Sequence, residues 1–109
     1  MANVYKILGQ ISPLATTETV LYTVPAATST VCSSLSICNR GATQTTFRVS
    51  ISAAGAATAN KDYLYYDVTL AGNDTFIATI GVTLATTDVI RVYSGNSSLS
   101  FQVWGTEIS

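Results

Sequence analysis

The side chains able to carry out chemistry are few in this chain, and they do not cluster along it. The sequence has no histidine and only 5 lysine and arginine residues in 109 positions. Histidine is the commonest general base and the commonest metal ligand. A serine nucleophile would depend on Lys6 or Lys61, and neither lies in a recognisable nucleophile motif. We therefore expect no catalytic residue, no metal site and no cofactor.

Aspartates in the second half of the chain raise the possibility of a calcium site or the carboxylate pair of a glycosidase. Their spacing matches no calcium-binding loop. Asp74 and Asp88 stand where turns favour an Asx residue, because its side chain hydrogen-bonds to nearby backbone. We interpret these residues as structural; the aspartates in question are Asp62, Asp67, Asp74 and Asp88.

Cys32 and Cys38 lie in one predicted extended segment. Six residues of strand hold their Cα atoms about 20 Å apart. A disulfide needs Cα atoms about 4.4–6.8 Å apart, so we predict free thiols. Two cysteines without histidine also make an incomplete zinc site.

The charge content argues against nucleic-acid and membrane partners. Only 10% of the residues are charged and the net charge is −1, whereas an average globular chain has about 25% charged residues. Phosphate recognition needs clustered basic side chains, and here they are scattered. No apolar run is long enough to span a membrane, and the N-terminus lacks the pattern of a secretory signal, so we expect synthesis in a cytoplasm. The basic residues are Lys6, Arg40, Arg48, Lys61 and Arg91.

Alternation of apolar and small polar residues with a period of two recurs along the chain, and no window has a helical repeat. We predict an all-β protein, a single antiparallel β-sandwich over residues 1–109 with a possible N-terminal arm at 1–15. Jelly-roll and immunoglobulin-like strand orders both remain open. The alanine-rich stretch 53–60 is predicted to be a loop. The expected strands, about eight in number, are Val4–Gln10, Glu18–Val24, Thr30–Cys38, Thr45–Ser52, Tyr63–Leu70, Thr75–Leu84, Val89–Ser94 and Leu99–Thr106.

The alternation also predicts which side chains face the core. The predicted inward residues are Val20, Tyr22 and Val24 in one strand, Val31, Leu35 and Ile37 in the next, then Phe47, Val49 and Ile51.

The opposite faces of the predicted strands are unusually rich in threonine, serine and alanine. Short neutral side chains lose little entropy and carry no charge to desolvate, so they suit surfaces that pack against neighbours. A neutral sheet edge left exposed otherwise invites aggregation. These stretches are Thr45-Thr46, Ser50–Ser52, Ser98–Ser100 and Ala53–Ala59.

The aromatic residues allow a second interpretation, a small carbohydrate-binding module that stacks sugars on Tyr93 and Trp104. Alternation places Tyr63 and Tyr65 on one face of their strand and Tyr66 on the other. Aromatic residues borne on strands are most often core or interface residues.

Several segments of the chain resemble a family of small virion structural proteins of tailed bacteriophages, notably cyanophages. The resemblance runs from about Val20 onward. The segments that carry it are Val20–Ala26, Ile37–Gly41, Thr45–Val49, Tyr63–Asp67, Asn73–Thr75, Gly81–Leu84, Thr87–Ile90 and Phe101–Glu107.

This resemblance implies a non-catalytic β-sandwich subunit on the virion, such as a capsid decoration (cement) protein, often a trimer, on the capsid surface. Its partners would be the major capsid protein and sister copies. A tail, baseplate or fibre subunit is the alternative. The candidate anchors are Tyr5, Tyr63, Tyr65, Tyr66 and Trp104, with Arg40 and Arg48 as ion-pair donors.

Overall fold

A computed structural model describes residues 2–109, and these form the eight predicted strands. Four strands have the predicted bounds, and the others differ by one or two residues at their ends. The strands are β1 (Asn3–Ile11), β2 (Thr19–Thr23), β3 (Ser29–Asn39), β4 (Thr45–Ser52), β5 (Tyr63–Leu70), β6 (Thr75–Leu84), β7 (Val89–Ser94) and β8 (Leu99–Ile108).

The strands form two four-stranded sheets, ordered β1-β8-β3-β6 and β2-β7-β4-β5. Every neighbouring pair is antiparallel. This order is that of a jelly roll, in which the chain passes repeatedly between the two sheets. The β-sandwich prediction is confirmed, and of the two strand orders that the sequence left open the protein has the jelly roll. Residues 3–11, inside the segment considered as an arm, form edge strand β1.

The core lies between the sheets and consists of the inward row of each strand. Phe47 and Phe101 are fully buried, and their ring centroids lie 6.4 Å apart across the two sheets. Burying one large apolar side chain contributes about 1.5–3 kcal/mol, so this row supplies most of the stability. Other large apolar side chains that are fully buried are Leu35, Ile37, Ile90, Leu99, Val24, Val49, Val92 and Val103.

A bulge in β3 reverses the predicted inward and outward faces of its first half. Cys32 pairs with Gly105 and Ser34 with Trp104, so Ser33 is an extra residue on β3. An extra residue shifts which side chains face the core. The prediction that Val31 faces inward and Cys32 outward is therefore wrong, because Cys32 is fully buried and Val31 is not.

A similar bulge in β2 corrects the prediction for Val20. Val20 pairs with Arg91 and Tyr22 with Ile90, which leaves Leu21 as the extra residue. Leu21 is buried, whereas Val20 is 47% exposed. The prediction that Val20 faces the core is wrong for this reason.

The last residues of β4 also differ from their predicted placement. Ser50 and Ser52 were expected on a face that packs against neighbours, but both are buried within the subunit. The Ser52 hydroxyl accepts a hydrogen bond of 2.9 Å from Arg91 Nη1. Ile51, predicted to face inward, is partly buried and packs against the core. Arg91 thus covers this part of the sheet and removes it from the surface available to a partner.

Local predictions for the cysteines, turns and loop agree with the fold. Cys32 and Cys38 are free thiols, and burial raises the pKa of Cys32 to about 11. Asp74 accepts a hydrogen bond from the Thr75 amide, and Asp88 accepts bonds from the amides of Ala54 and Ala85. The stretch 53–60 is a loop that begins with one short 3-10 turn and ends at the start of another.

Candidate interaction surfaces

The outer face of the β1-β8-β3-β6 sheet carries no charged side chain among the residues that the structure describes. We call it the neutral face. Its members follow from the strand register, since residues opposite one another share a face. They are Asn3, Tyr5, Ile7 and Gln10 on β1, Ser100, Gln102, Trp104, Thr106 and Ile108 on β8, Ser29, Val31, Ser34, Ser36 and Cys38 on β3, and Thr75, Ile77, Thr79 and Thr83 on β6.

Large apolar side chains on the neutral face are exposed. Tyr5 is 80% exposed, Ile7 53% and Ile77 66%. Single exposed apolar residues are normal, but several on one uncharged face indicate an interaction surface. This surface also includes three residues that were not predicted from the sequence as contact residues, namely Ile7, Ile77 and Gln102. Only the register between distant strands could have identified them.

An open groove of about 580 Å³ crosses the neutral face between β1 and β8. Tyr5 and Trp104, two of the predicted anchors, line it together, with Gln102 and Thr106 supplying neutral polar groups. Lys6 also borders the groove, but its ammonium group lies 3.3 Å from Glu107 Oε1. The groove therefore offers aromatic surface and uncharged hydrogen-bonding groups.

The outer face of the β2-β7-β4-β5 sheet is built differently, around Arg48. The guanidinium carbon lies 4.4 Å from the ring centroid of Tyr66 and 4.4 Å from that of Tyr93. Arg48 Nε donates to Asp67 Oδ1 at 2.6 Å, and its Nη2 donates to Oδ2 at 3.2 Å. Cation–π contacts and a bidentate carboxylate are the arrangements that arginine geometry favours. We call these four residues the arginine clamp.

In the arginine clamp, the positive charge of Arg48 is paired within the subunit. The hydrogen bonds from Arg48 lower the pKa of Asp67, and the same bonds raise the pKa of Arg48 above its ordinary value. Arg48 was predicted to be an ion-pair donor to a partner. In the structure its ion-pair partner is Asp67 of the same chain.

The three tyrosines of β5 separate into two environments. The Tyr65 ring packs inward, 5.2 Å from Phe76 and 6.2 Å from Phe47 between ring centroids. Tyr63 instead packs edge-on against Tyr66 at 4.8 Å. The prediction that Tyr63 and Tyr65 share a face is wrong, because β5 has register shifts against β4 on both sides of Tyr65.

Arg40, the other predicted ion-pair donor, ties two loops together. Its Nη2 donates to Ser12 Oγ at 2.7 Å and to the Ser97 carbonyl oxygen at 2.9 Å. These bonds join the loop after β1 to the loop before β8. Arg40 therefore lies apart from both the groove and the arginine clamp.

At one end of the sandwich, polar side chains from several strands are linked by hydrogen bonds, and this arrangement was not predicted from the sequence. The Tyr22 hydroxyl donates to Glu107 Oε2 at 2.6 Å and lies 2.8 Å from Thr30 Oγ1. Burial, together with Glu107, raises the pKa of Tyr22 well above its usual range. The hydrogen bond from Tyr22 and the nearby Lys6 ammonium lower the pKa of Glu107. This arrangement satisfies a buried hydroxyl where β1, β2, β3 and β8 meet.

Tyr93 and Trp104 do not form one aromatic platform. Tyr93 lies on β7 in the arginine clamp, whereas Trp104 lies on β8 in the neutral face. Within residues 2–109, no three histidine, cysteine, aspartate or glutamate side chains lie close enough together to hold a metal ion. No helix in the same part of the chain has the length and apolar character needed to cross a membrane.

Comparison with known proteins found no relative of this chain. The chain matches no protein-family model, no curated protein and no solved structure.

Proposed function

We propose that this protein is a non-catalytic structural subunit of a phage virion, a capsid decoration protein that binds the outside of the shell through its neutral face. The observation that carries the proposal is the neutral face itself, an uncharged sheet surface with Tyr5, Ile7 and Trp104 at its exposed edge and groove. The sequence resemblance supplies the virion as the setting.

The mechanism is binding alone. Threonine and serine side chains lose little entropy and no ionic hydration when a partner covers them, so the desolvation of this face costs little free energy. Tyr5 and Trp104 supply the large contact areas typical of binding hot spots. A subunit bound across two capsomers raises the energy needed to separate them under the pressure of packaged DNA. Its partners are the major capsid protein and sister copies.

Particles assembled without the protein test this function. We expect them to form but to burst at a lower temperature or lower salt than complete particles, and added protein should restore the difference. Unchanged particle stability would contradict cementing. Cryo-electron microscopy of complete particles gives the location, and density found only on the tail, baseplate or fibre would favour the alternative virion position.

A matched pair of variants tests the docking face. Tyr5→Lys places a charge on the neutral face, at a residue that is 80% exposed. Leu14→Lys makes a similar change in the loop after β1, at a residue that is 73% exposed. We expect only Tyr5→Lys to abolish binding to undecorated particles. Equal loss in both variants, or in neither, would contradict docking through the neutral face.

A neutral-carbohydrate site is the second candidate function, and the groove is the observation that favours it. Tyr5 and Trp104 line one groove with Gln102 and Thr106, an arrangement that could stack a sugar ring and hydrogen-bond its hydroxyls. Titration of the protein with neutral polysaccharides, followed by the fluorescence of the single tryptophan, tests it. Fluorescence that does not change with any of them would eliminate this candidate.

A further inference from the structure

The sandwich has four edge strands, and β6 differs from the other three. Edge strands expose unpaired backbone groups, and proteins protect them with charges, prolines, bulges or short length. β1 carries Lys6, and β2 has only five residues, one of them in a bulge. β5 carries Asp67 in a left-handed conformation (φ 51°) and has two register shifts. Each of these three edges therefore has at least one feature that hinders pairing with another strand.

β6 has almost none of these protections. It has ten residues, with no charge and no proline, and its sequence is TFIATIGVTL. Its one irregularity is at Gly81 (φ 57°), near the end of the strand, so the register from Thr75 to Thr79 against β3 is unbroken. An apolar segment of high β-propensity at a regular sheet edge is a template for pairing with another strand.

The core is also incompletely covered on the side of the sandwich where β5 and β6 are the edge strands. Ile77 is 66% exposed on the outer side of the strand. Apart from Leu70 and Leu84 at the strand ends, the apolar side chains that face the core from β5 and β6 are only partly buried, whereas Phe47 and Phe101 on the central strands are fully buried. The partly buried residues on this side are Phe76, Ile80 and Val82 on β6 and Tyr65 and Val68 on β5.

A second copy of the same strand fits this edge in chemistry and in size. Antiparallel pairing about a two-fold axis sets the outward row of one β6 against the outward row of the other, and no charge is left unpaired on either side. A strand of ten residues is about 33 Å long, and the shortest extent of the molecule is 19 Å, which together give about 630 Å² per copy. Stable interfaces begin near about 600 Å² per partner, so this side of the sandwich is large enough.

We propose that two copies of this protein pair through β6, antiparallel about a two-fold axis, to form one continuous eight-stranded sheet. The β6 edge of each copy is used in the pair, so the contact closes and does not propagate. The two neutral faces then form one surface with two Tyr5–Trp104 grooves, which allows bivalent attachment to a particle. The pairing does not require the particle, so it stands or falls separately from the proposed function.

Sedimentation equilibrium of the purified protein tests the pairing. We expect a dimer, in contrast to the trimer that the resemblance implies. Ile77→Lys places a charge on the outward row of β6, and we expect it to raise the dissociation constant at least about tenfold. Hydrogen exchange should show protected amides from Thr75 to Ile80 in the parent protein and faster exchange in the variant.

Ile7→Lys is the matched control, because Ile7 is 53% exposed at the opposite edge of the same sheet. We expect this variant to remain a dimer while it loses binding to particles. A monomer or a trimer in the parent protein would overturn the proposal. Dissociation by Ile7→Lys to the same degree as by Ile77→Lys would also overturn it, because the contact would then involve the whole neutral face.

Discussion

The two outer faces of this sandwich have the same strand geometry and opposite chemistry. On the β2-β7-β4-β5 sheet, Arg48 is held between two tyrosine rings and paired with Asp67, so its charge is neutralised within the subunit. On the β1-β8-β3-β6 sheet, the neutral face has no charge to neutralise and leaves Tyr5 and Ile77 exposed. The first face pairs its charged side chains within the subunit but still leaves Val20 and Tyr66 about half exposed, whereas the second has its exposed apolar side chains on a surface without charge.

The difference between the two faces indicates which of them suits the binding of a partner. Surface charges that are paired within the chain contribute modestly to stability. Exposed apolar side chains on an uncharged face contribute almost nothing to the stability of the isolated subunit, so several of them on one such face indicate binding. Stability and binding should therefore respond separately to substitutions on the two faces.

Gly105→Ala should have the largest effect, because it distorts the bulge beneath the neutral face. An alanine Cβ at this position collides with the carbonyl oxygen of Val31. We expect a loss of about 3 kcal/mol or more in the free energy of unfolding, measured by urea denaturation. Gly55→Ala is the control; it meets no atom closer than 3.6 Å but has a φ of +70°, so it should lose only about 1–2 kcal/mol. Equal losses would show that Gly105 is not sterically required.

Arg48→Ala should lower stability without affecting attachment. The variant loses two cation–π contacts and a bidentate hydrogen bond, and we expect a loss of about 1–2 kcal/mol in the free energy of unfolding. Binding to undecorated particles should be unchanged, because the arginine clamp lies on the face opposite the neutral face. A variant of normal stability that fails to bind would assign docking to the clamp face instead.

The hydrogen-bonded arrangement around Glu107 predicts a dependence of stability on pH. In the folded protein Tyr22 and Lys6 lower the pKa of Glu107. The stability that Glu107 contributes is therefore fully present above its unfolded pKa of about 4.3, and it is lost as the pH falls through the folded pKa. Glu107→Gln should therefore flatten the acid limb of the stability curve, measured by thermal unfolding between neutral and acid pH. Part of the slope should remain, because Asp62 and Asp67 also have lowered pKa values. An unchanged slope would contradict the role of Glu107, and Glu18→Gln, an exposed residue before β2, is the control.

Tyr5→Ser should have the smallest effect on the isolated subunit. The side chain is 80% exposed, so we expect the free energy of unfolding to change by less than about 0.5 kcal/mol. Particle binding should nevertheless weaken, since the variant removes an aromatic anchor without adding a charge. Loss of stability comparable to that of Arg48→Ala would show that the two faces do not divide stability and binding in this way.

Much of the local structure was predictable because it depends on neighbouring residues. Alternation located all the strands, and Asp74 and Asp88 act in the turns where an Asx residue was expected. Prediction failed where a bulge intervened, as at Val31 and Tyr63, because one inserted residue reverses the faces of the side chains on one side of it relative to those on the other. A bulge is set by the partner strand, which lies far away in the sequence.

The candidate surfaces were predictable only in part. Tyr5 and Trp104 were selected as anchors and do line one groove, although they are 99 residues apart in the chain. Tyr65 was selected with them and lies against the core, and Arg48 is paired with Asp67 of its own chain. Residue type indicated which side chains make good contacts, but not which contacts were already made within the subunit.

Composition and a period of two are local properties, so they were enough to predict a β-sandwich with few charges and no histidine. The jelly-roll order of the strands, and the grouping of the neutral residues on one sheet, could be seen only in the folded chain. Strand pairing joins segments across the whole chain, as β1 with β8 does, so the grouping of charges on one face and their absence from the other is a consequence of topology.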